Sequence, residues 1–269
     1  MEYKMVEPSP LLSNYIKHYW YLESCSPSGT KHIQRIVPSG LIECMFYFGK
    51  RPKSLTTKNS FEENSLLTGQ LKTYYDIQIT APLSVFSIIF KPHGLAMFFD
   101  IPVNELLNQH VPLKYLEKIW ANDLEAQLNE AKTFKEKVRI AEQSLIKKLK
   151  TNIKKIHFPR INESISHINN NRGMISINEL ASKACLSRKQ FERLFTEYAG
   201  TSPKKFLRIV RFQHTLDQRS KRPDEKLTSL AYQCGYYDQS HMNREFYELS
   251  GMTPKNYFKL GPPFSDYFC

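Results

Sequence analysis

Residues 187–207, SRKQFERLFTEYAGTSPKKFL, decide the fold of this chain, because their pattern returns 51 positions later at residues 238–258, DQSHMNREFYELSGMTPKNYF. An internal repeat defines the unit of architecture. Here the unit is a helix with a polar face, a glycine that ends it, and a second helix that starts at a proline. The two copies are identical at Arg193/Arg244, Phe195/Phe246, Glu197/Glu248, Gly200/Gly251, Pro203/Pro254 and Lys204/Lys255.

The first copy has the pattern of two short helices joined by a tight turn. Its apolar residues fall at i, i+3, i+4 and i+7, which places them on one helical face. Ser187 with Gln190 has the spacing of a capping box, and Ser176 with Glu179 predicts an earlier helix that starts near Ile177. A short helix, a tight turn and a second helix with a polar basic face predict a helix-turn-helix. The apolar stripe comprises Phe191, Leu194, Phe195 and Tyr198.

The second copy repeats this plan with a longer turn. Leu227–Gln233 is the predicted first helix, and Asp238 is the predicted cap of the second, whose buried stripe is Met242, Phe246 and Leu249. Leu180-Ala181 aligns with Leu230-Ala231 at a shift of 50 rather than 51, so the second turn is one residue longer. Ser202-Pro203 has the signature of a helix start. We expect a linker helix from Pro203 to about Gln218.

Composition narrows the class of partner. The 269-residue chain carries a formal net charge of +12, with a pI near 9.4. Such an excess favours a polyanion or an acidic membrane surface as partner. The five cysteines form no CxxC pair, and no apolar run is long enough to cross a bilayer. The start lacks a signal peptide. We therefore expect a cytoplasmic protein with reduced thiols and no membrane partner.

The N-terminal part has a different character. Residues 9–22 place apolar side chains near helical spacing and predict a short helix. HIQRIV, LIECMFYF, SLLTGQLKTYYDIQIT and LSVFSIIFKP predict short strands punctuated by turn residues. We expect a small barrel or sandwich. Residues 114–150 are mostly helical and amphipathic, and they cap this domain or form a subunit interface. The domain boundary is placed near the basic stretch 151–160, giving domains 1–157 and 158–269.

The C-terminal pattern resembles the AraC/XylS family of bacterial transcription regulators. The resemblance covers about residues 162–260 and is carried by INELASKACLSRKQFERLFTEYAGTSPKKFLR and LAYQCGYYDQSHMNREFYELSGMTPKNY. It implies an all-α domain of two helix-turn-helix subdomains joined by one long helix. It also implies that two recognition helices, about residues 187–198 and 238–249, enter successive major-groove segments of double-stranded DNA.

The resemblance also assigns candidate DNA-binding residues. By family position, Lys189, Glu192 and Arg193 lie near bases in the first groove, and Arg188 shares their face. Glu192 departs from the amide frequent in the family, and it either accepts from cytosine or pairs with a neighbour. Arg193 and Arg244 either contact guanine or phosphate, or form a salt bridge repeated with the fold. The corresponding second set is Gln239, Ser240, Asn243 and Arg244. We expect Lys204, Lys205 and Lys255, at helix starts, to contact phosphate or simply to face solvent.

The N-terminal part resembles the β-rich, cupin-related regulatory domains of some family members. Tyr19-Trp20, Pro38-Ser39-Gly40 and residues 88–106 carry this resemblance. It implies control by a small-molecule effector or by homodimerisation. The effector-binding residues are undetermined, with aromatic candidates that are equally well core residues. The HxH-and-glutamate metal pattern of catalytic cupins is absent, so no metal or cofactor is expected. The aromatic candidates are Phe46, Tyr47, Phe48, Tyr74, Tyr75 and Phe90.

Together these patterns predict an α+β, two-domain transcription regulator with no catalytic residues. If it is an activator, RNA polymerase is a further expected partner. One alternative is a ligand-independent DNA-binding protein whose N-terminal domain only dimerises. Another is a cupin-type enzyme fused to a DNA-targeting module, although no serine–histidine or paired-carboxylate motif stands out.

Overall fold

The computed structural model describes residues 2–24, 29–56, 63–151 and 156–260. Within these ranges the N-terminal part is strand-rich and the C-terminal part is helical, as the sequence predicts. The strands are β1 (Glu2–Val6), β2 (Ile16–Glu23), β3 (Lys31–Ile36), β4 (Ile42–Tyr47), β5 (Lys53–Ser54), β6 (Ser65–Thr68), β7 (Tyr75–Thr80), β8 (Ser84–Phe90) and β9 (His110–Pro112).

The strands form two antiparallel sheets. The larger has six strands in the order β1-β2-β8-β4-β6-β9, and the smaller has three in the order β3-β7-β5. Side chains alternate between the two faces of each strand. In β4, Glu43, Met45 and Tyr47 line a cavity that the smaller sheet also borders, whereas Ile42 and Phe46 pack into the main core on the other side. The arrangement is a sandwich and not a closed barrel.

Helices follow the last strands of the sandwich. Two short 3-10 helices, Leu95–Met97 and Val103–Leu106, precede β9. They are followed by α1 (Leu113–Leu116), α2 (Lys118–Glu130) and α3 (Phe134–Thr151). Buried Leu124, Leu128 and Leu145 pack with Ile42 and Phe46 in one core, so these helices cover the outer face of the larger sheet. The predicted helical segment 114–150 is thereby confirmed.

The prediction of a helix over residues 9–22 was wrong. Turns lead from residue 10 to residue 15, and Ile16–Glu23 is strand β2, which pairs with both β1 and β8. Tyr19 and Trp20 are neighbours whose side chains enter different clusters on opposite sides of the sheet. Pairing with strands distant in the chain outweighed the local helical spacing.

Within its described residues, the C-terminal part consists of seven helices. They are α4 (Phe158–Asn170), α5 (Ile177–Lys183), α6 (Arg188–Ala199), α7 (Pro203–Lys221), α8 (Leu227–Gln233), α9 (Gln239–Ser250) and α10 (Pro254–Lys259). Helices α5 to α10 lie within a few residues of their predicted positions. The linker helix α7 runs three residues beyond the expected end at Gln218. Residues 152–155, within the proposed domain boundary, lie outside the described residues.

Candidate nucleic-acid interface

The first recognition helix, α6, begins at a fully formed capping box. The Ser187 side chain accepts a hydrogen bond from the Gln190 amide (3.3 Å), and the Gln190 side chain accepts one from the Ser187 amide (3.1 Å). These bonds satisfy N–H groups that have no partner inside the helix. The predicted stripe, including Phe191 and Phe195, is buried. Cap and stripe together fix which face of α6 is open.

Four predicted contact residues lie on this open face. Arg188 forms a 3.0 Å ion pair with Glu192, and Arg193 lies 3.6 Å from Glu197. Glu192 therefore has a neighbouring cation, which is one of its two predicted roles. Exposed ion pairs of this kind contribute about 1 kcal/mol or less, so they do not prevent either arginine from turning toward a phosphate. Lys189 is also exposed.

The second recognition helix, α9, corresponds to α6 in the repeat, but its cap and side chains form different hydrogen bonds. The Asp238 side chain accepts from the His241 amide at 2.6 Å and caps it. Ser240 and Arg244 are exposed, whereas Gln239 and Asn243 are partly buried. Gln239 also accepts a 2.7 Å hydrogen bond from Thr228 on α8. Ser240 and Arg244 are thus the most open of the four predicted residues.

Arg193 and Arg244 occupy matching positions but do not repeat one salt bridge. Arg193 lies beside Glu197, while the matching Glu248 accepts a hydrogen bond from Arg208 on α7. Within the described residues, no acidic side chain lies within ion-pair distance of Arg244. The alternative that Arg193 and Arg244 form the same salt bridge in both copies is therefore wrong.

The extra residue of the second turn is Tyr237. The Leu186 amide donates to the Ala181 carbonyl, and the Tyr236 amide donates to the Ala231 carbonyl, so the two turns match up to this point. Tyr237 then precedes the Asp238 cap, and 85% of its surface is exposed. It adds an open aromatic ring beside the start of α9 that has no counterpart beside α6.

The cysteines beside the two turns differ in exposure. Cys234 is buried, whereas Cys185 is exposed and has a φ of 52°. Its counterpart Gly235 has a φ of 75°. The turn needs a left-handed backbone at this position, which glycine adopts without strain, and this geometry directs the cysteine side chain to the surface.

The three lysines at helix starts have different surroundings. Lys204 and Lys255 are exposed at the first turns of α7 and α10. Lys205 is partly buried, and burial, followed by nearby Arg208 and Lys72, lowers the pKa of its ammonium group. Lys204 and Lys255 are therefore open to a phosphate, whereas Lys205 faces the N-terminal part of the chain.

A buried carboxylate that the sequence analysis missed joins the linker helix to the second recognition helix. Glu245 on α9 accepts from Arg208 at 2.9 Å and from Arg211 at 2.7 Å. Only 7% of its side chain is exposed. Its sequence signal was an acidic residue beside the buried Met242 and Phe246, on the face that packs against α7. This network holds α9 at a fixed angle on α7.

The N-terminal part contacts the C-terminal ends of both recognition helices. A side chain at Gly200, which ends α6, would meet Val103, and one at Gly251, which ends α9, would overlap the ring of Tyr74. The Thr73 hydroxyl donates to the carbonyl oxygen of Glu248 at 2.8 Å. The N-terminal ends of the helices, with the candidate DNA-binding residues, stay uncovered by these contacts.

The cavity between the two sheets has a volume of about 610 Å³. Of the six aromatic candidates, Tyr47 and Tyr75 line it. The others lie elsewhere: Phe46, Phe48 and Phe90 pack in or against the main core, and Tyr74 packs against the C-terminal core. The sequence alone does not show which of these aromatic residues line the cavity. That depends on how the strands pair and therefore on which face of a sheet each side chain occupies.

Two further properties bear on the class of protein. Among the described residues, no helix combines the length and apolar character that a membrane crossing requires. Within the same ranges, no three His, Cys, Asp or Glu side chains come together as metal ligands would.

Comparison with known proteins gives two family matches. Residues 4–112 match a domain of unknown function (DUF6597), and residues 180–260 match a helix-turn-helix domain. An uncharacterized HTH-type transcriptional regulator of Haemophilus influenzae is 33% identical over 86 residues, which are 32% of this chain and 26% of that protein. The HTH-type transcriptional regulator ArgR of Pseudomonas aeruginosa is 29% identical over 84 residues, 30% of this chain and 24% of that protein.

A solved structure is also similar over part of the chain. It is a transcriptional regulator from Chromobacterium violaceum of the AraC-type DNA-binding class, with 25% identity and a TM-score of 0.34, covering 36% of this chain and 88% of that one. The matches span about a quarter of the length of the two curated relatives. The helix-turn-helix match includes both recognition helices and the linker helix between them. Residues 180–260 of this chain are accordingly a helix-turn-helix domain.

Proposed function

We propose that this protein is a sequence-specific DNA-binding transcription regulator. The observation that carries the proposal is the pair of capped recognition helices, α6 and α9, whose first two turns present exposed polar and cationic side chains. Arg188, Lys189 and Arg193 lie on the first, and Arg244 lies on the second. Exposed arginines and lysines on such a helix bind base edges and phosphates in the major groove.

The linker helix supports simultaneous binding to two groove segments. At 1.5 Å per residue, the 19 residues of α7 span about 28 Å. Successive major-groove segments on one face of DNA lie roughly 34 Å apart. We propose that one chain binds both segments. Because the open faces of α6 and α9 differ and only α9 has Tyr237 beside it, the proposed site is asymmetric.

The N-terminal domain, proposed as residues 1–157, is the proposed regulatory part. It contacts the ends of both recognition helices, so a change in its shape reaches both DNA-binding elements. The cavity between its sheets is the proposed effector site. In an activator, we propose RNA polymerase as a further partner. We assign no catalytic activity to the chain, and we propose that it acts in the cytoplasm.

A second role for the N-terminal domain has its own observation. Strand β1 lies at the edge of the six-stranded sheet, and all five of its residues are exposed, including Tyr3, Met5 and Val6. The edge of a sheet is a place where a strand of a second chain can pair. Dimerisation through β1 is therefore the second candidate. Sedimentation of the full chain tests it, because a Met5→Lys variant would shift a dimer toward monomer.

Capture of bound genomic fragments followed by binding assays tests the main proposal. The full chain is expected to enrich a defined, asymmetric sequence. Arg244→Ala is expected to weaken binding to it by about fivefold to 150-fold, corresponding to roughly 1–3 kcal/mol, while circular dichroism and thermal melting stay unchanged. Arg139→Ala, at an exposed arginine on α3, is the matched control. Equal affinity of Arg244→Ala and wild type at fixed salt would refute the assignment, and failure to enrich any sequence would refute the function.

A further inference from the structure

The cavity between the sheets has walls that are mostly apolar. Its walls include Trp20, Leu22, Ile77, Val85 and Ile89. A volume of about 610 Å³ lies within the range of cavities that hold a compact organic molecule. Its lining also includes exposed residues, Thr30, Lys31 and His32 among them, which connect it to solvent.

One carboxylate faces this apolar space. Glu43 is the second residue of strand β4, and among the lining residues of the described chain it is the only acidic one. Its Oε1 atom accepts hydrogen bonds from Trp20 Nε1 at 3.1 Å and from Ser87 Oγ at 2.6 Å. Both bonds end on the same oxygen. Within the described residues, no hydrogen bond reaches Oε2.

No positively charged side chain compensates Glu43. Within the described residues, no lysine, arginine or histidine lies within ion-pair distance of its carboxylate. Its titratable neighbours are the phenols of Tyr3, Tyr47 and Tyr75, which are neutral near pH 7 and whose pKa values rise through burial and proximity to Glu43. A carboxylate that faces an apolar cavity without a cationic partner is unfavourable.

The ionisation of Glu43 reflects this environment. Burial raises the pKa of its carboxyl to about 7, although the hydrogen bonds from Ser87 and Trp20 act in the opposite direction. A cation that entered the cavity would favour the ionised form. It would also lie among aromatic rings, which attract cations through their faces. The cavity can therefore enclose the apolar part of a ligand. Glu43 can bind the cationic head group of the same ligand.

We propose that this cavity binds an apolar amine whose protonated amino group contacts Oε2 of Glu43 and whose hydrocarbon or aromatic part fills the space between the sheets. The inference deepens the proposed effector response and rests on that proposal for its regulatory meaning. Binding to the cavity itself does not require DNA.

Three probes of matched shape test the ligand class. Calorimetric titration of the full chain at pH 8 with 4-phenylbutylamine, 4-phenylbutan-1-ol and 4-phenylbutanoate changes only the head group. The amine is expected to bind at least tenfold more tightly than the alcohol, and the carboxylate is expected to bind more weakly than both. Glu43→Gln retains an oxygen that can accept from Trp20 and Ser87. This variant is expected to bind the amine and the alcohol equally.

Controls separate ligand binding from folding and from DNA binding. Glu130→Gln, at an exposed glutamate on α2, is expected to bind all three probes as wild type does. Folding of Glu43→Gln is checked by circular dichroism and by its unchanged affinity for the alcohol. Equal affinity for the three probes, preference for the carboxylate, undiminished amine binding by Glu43→Gln or no detectable amine binding by wild type would each overturn the proposal. None of these results depends on DNA binding, so the two proposals fail separately.

Discussion

Arg35 in strand β3 donates a 3.0 Å hydrogen bond to the carbonyl oxygen of Ser250, the last residue of the second recognition helix. The same guanidinium forms two 2.8 Å hydrogen bonds with Asp76 on β7 and lies over the ring of Tyr74. Its strand neighbours Gln34 and Ile36 line the cavity. One strand thus borders the cavity with one face and holds the end of α9 with the other.

Arg35→Ala is expected to loosen the end of the second recognition helix. The Ser250 carbonyl loses a charged donor, a contact that contributes about 1.5–3 kcal/mol, so amides in the last turn of α9 and in α10 are expected to exchange with solvent roughly tenfold faster. Hydrogen exchange with mass spectrometry measures this. Lys53→Ala, at an exposed residue of the same sheet, is the control. Unchanged exchange in α9 and α10 would show that Arg35 does not hold the helix.

Two glutamates on α9 that share Arg208 are expected to differ in their effect on stability. Glu245 is 7% exposed and also binds Arg211, whereas Glu248 is 60% exposed. Removing one partner of a buried ion pair costs about 3–5 kcal/mol, and removing an exposed one costs about 1 kcal/mol or less. Urea denaturation of Glu245→Gln and Glu248→Gln measures the difference. Equal stabilities would contradict the assigned role of Glu245.

Lys255→Ala is expected to weaken binding to every DNA sequence by a similar factor. Lys255 is exposed at the start of α10, where an ammonium group can neutralise a phosphate without reading a base. The slope of log affinity against log salt is expected to decrease in magnitude by about 1. Titrations from low to moderate salt measure it, with Lys135→Ala on α3 as the control. A change restricted to the preferred sequence would indicate base contact.

The difference in unfolding free energy between wild type and Glu43→Gln is expected to depend on pH, because Glu43 takes up a proton near pH 7. Its folded-state pKa of about 7 lies above the ordinary value near 4.5, so the folded protein binds the proton more tightly than the unfolded chain. This contribution is fully present below pH 4.5 and is lost as the pH rises through 7. The wild type's advantage in unfolding free energy over Glu43→Gln is therefore expected to grow by about 2–3 kcal/mol between pH 8 and pH 5.

Histidines do not obscure this comparison. Burial lowers the pKa values of His18, His93 and His110 to about 4, so protonation favours the unfolded chain as the pH falls below 6.5. Wild type and Glu43→Gln share these residues, so their contribution cancels in the difference. Denaturation of both proteins over the same pH range provides the measurement. A difference that stays constant with pH would rule out a raised pKa at Glu43.

Short sequence patterns, such as helix caps and glycine stops, were sufficient to predict most of the helices in the C-terminal part. Caps at Ser187 and Asp238 and glycine stops at 200 and 251 act within one or two helical turns, and all four lie where the sequence predicted them. The same reasoning was wrong for residues 9–22, where pairing with β1 and β8 decides the conformation. It also missed Glu245, because a buried acid is recognisable only when Arg208 and Arg211 are brought beside it.

The sequence by itself determined the repeated helix-turn-helix, its capped recognition helices and the candidate residues on their open faces, since each depends on contacts between residues close together in the chain. Only the tertiary structure decided which strand faces border the cavity, that Glu43 faces it without a cation, and that Arg35 reaches Ser250. Those relationships join residues up to 215 positions apart. They arise because a folded chain buries its apolar strand faces together, and the partner that each polar side chain meets follows from that packing.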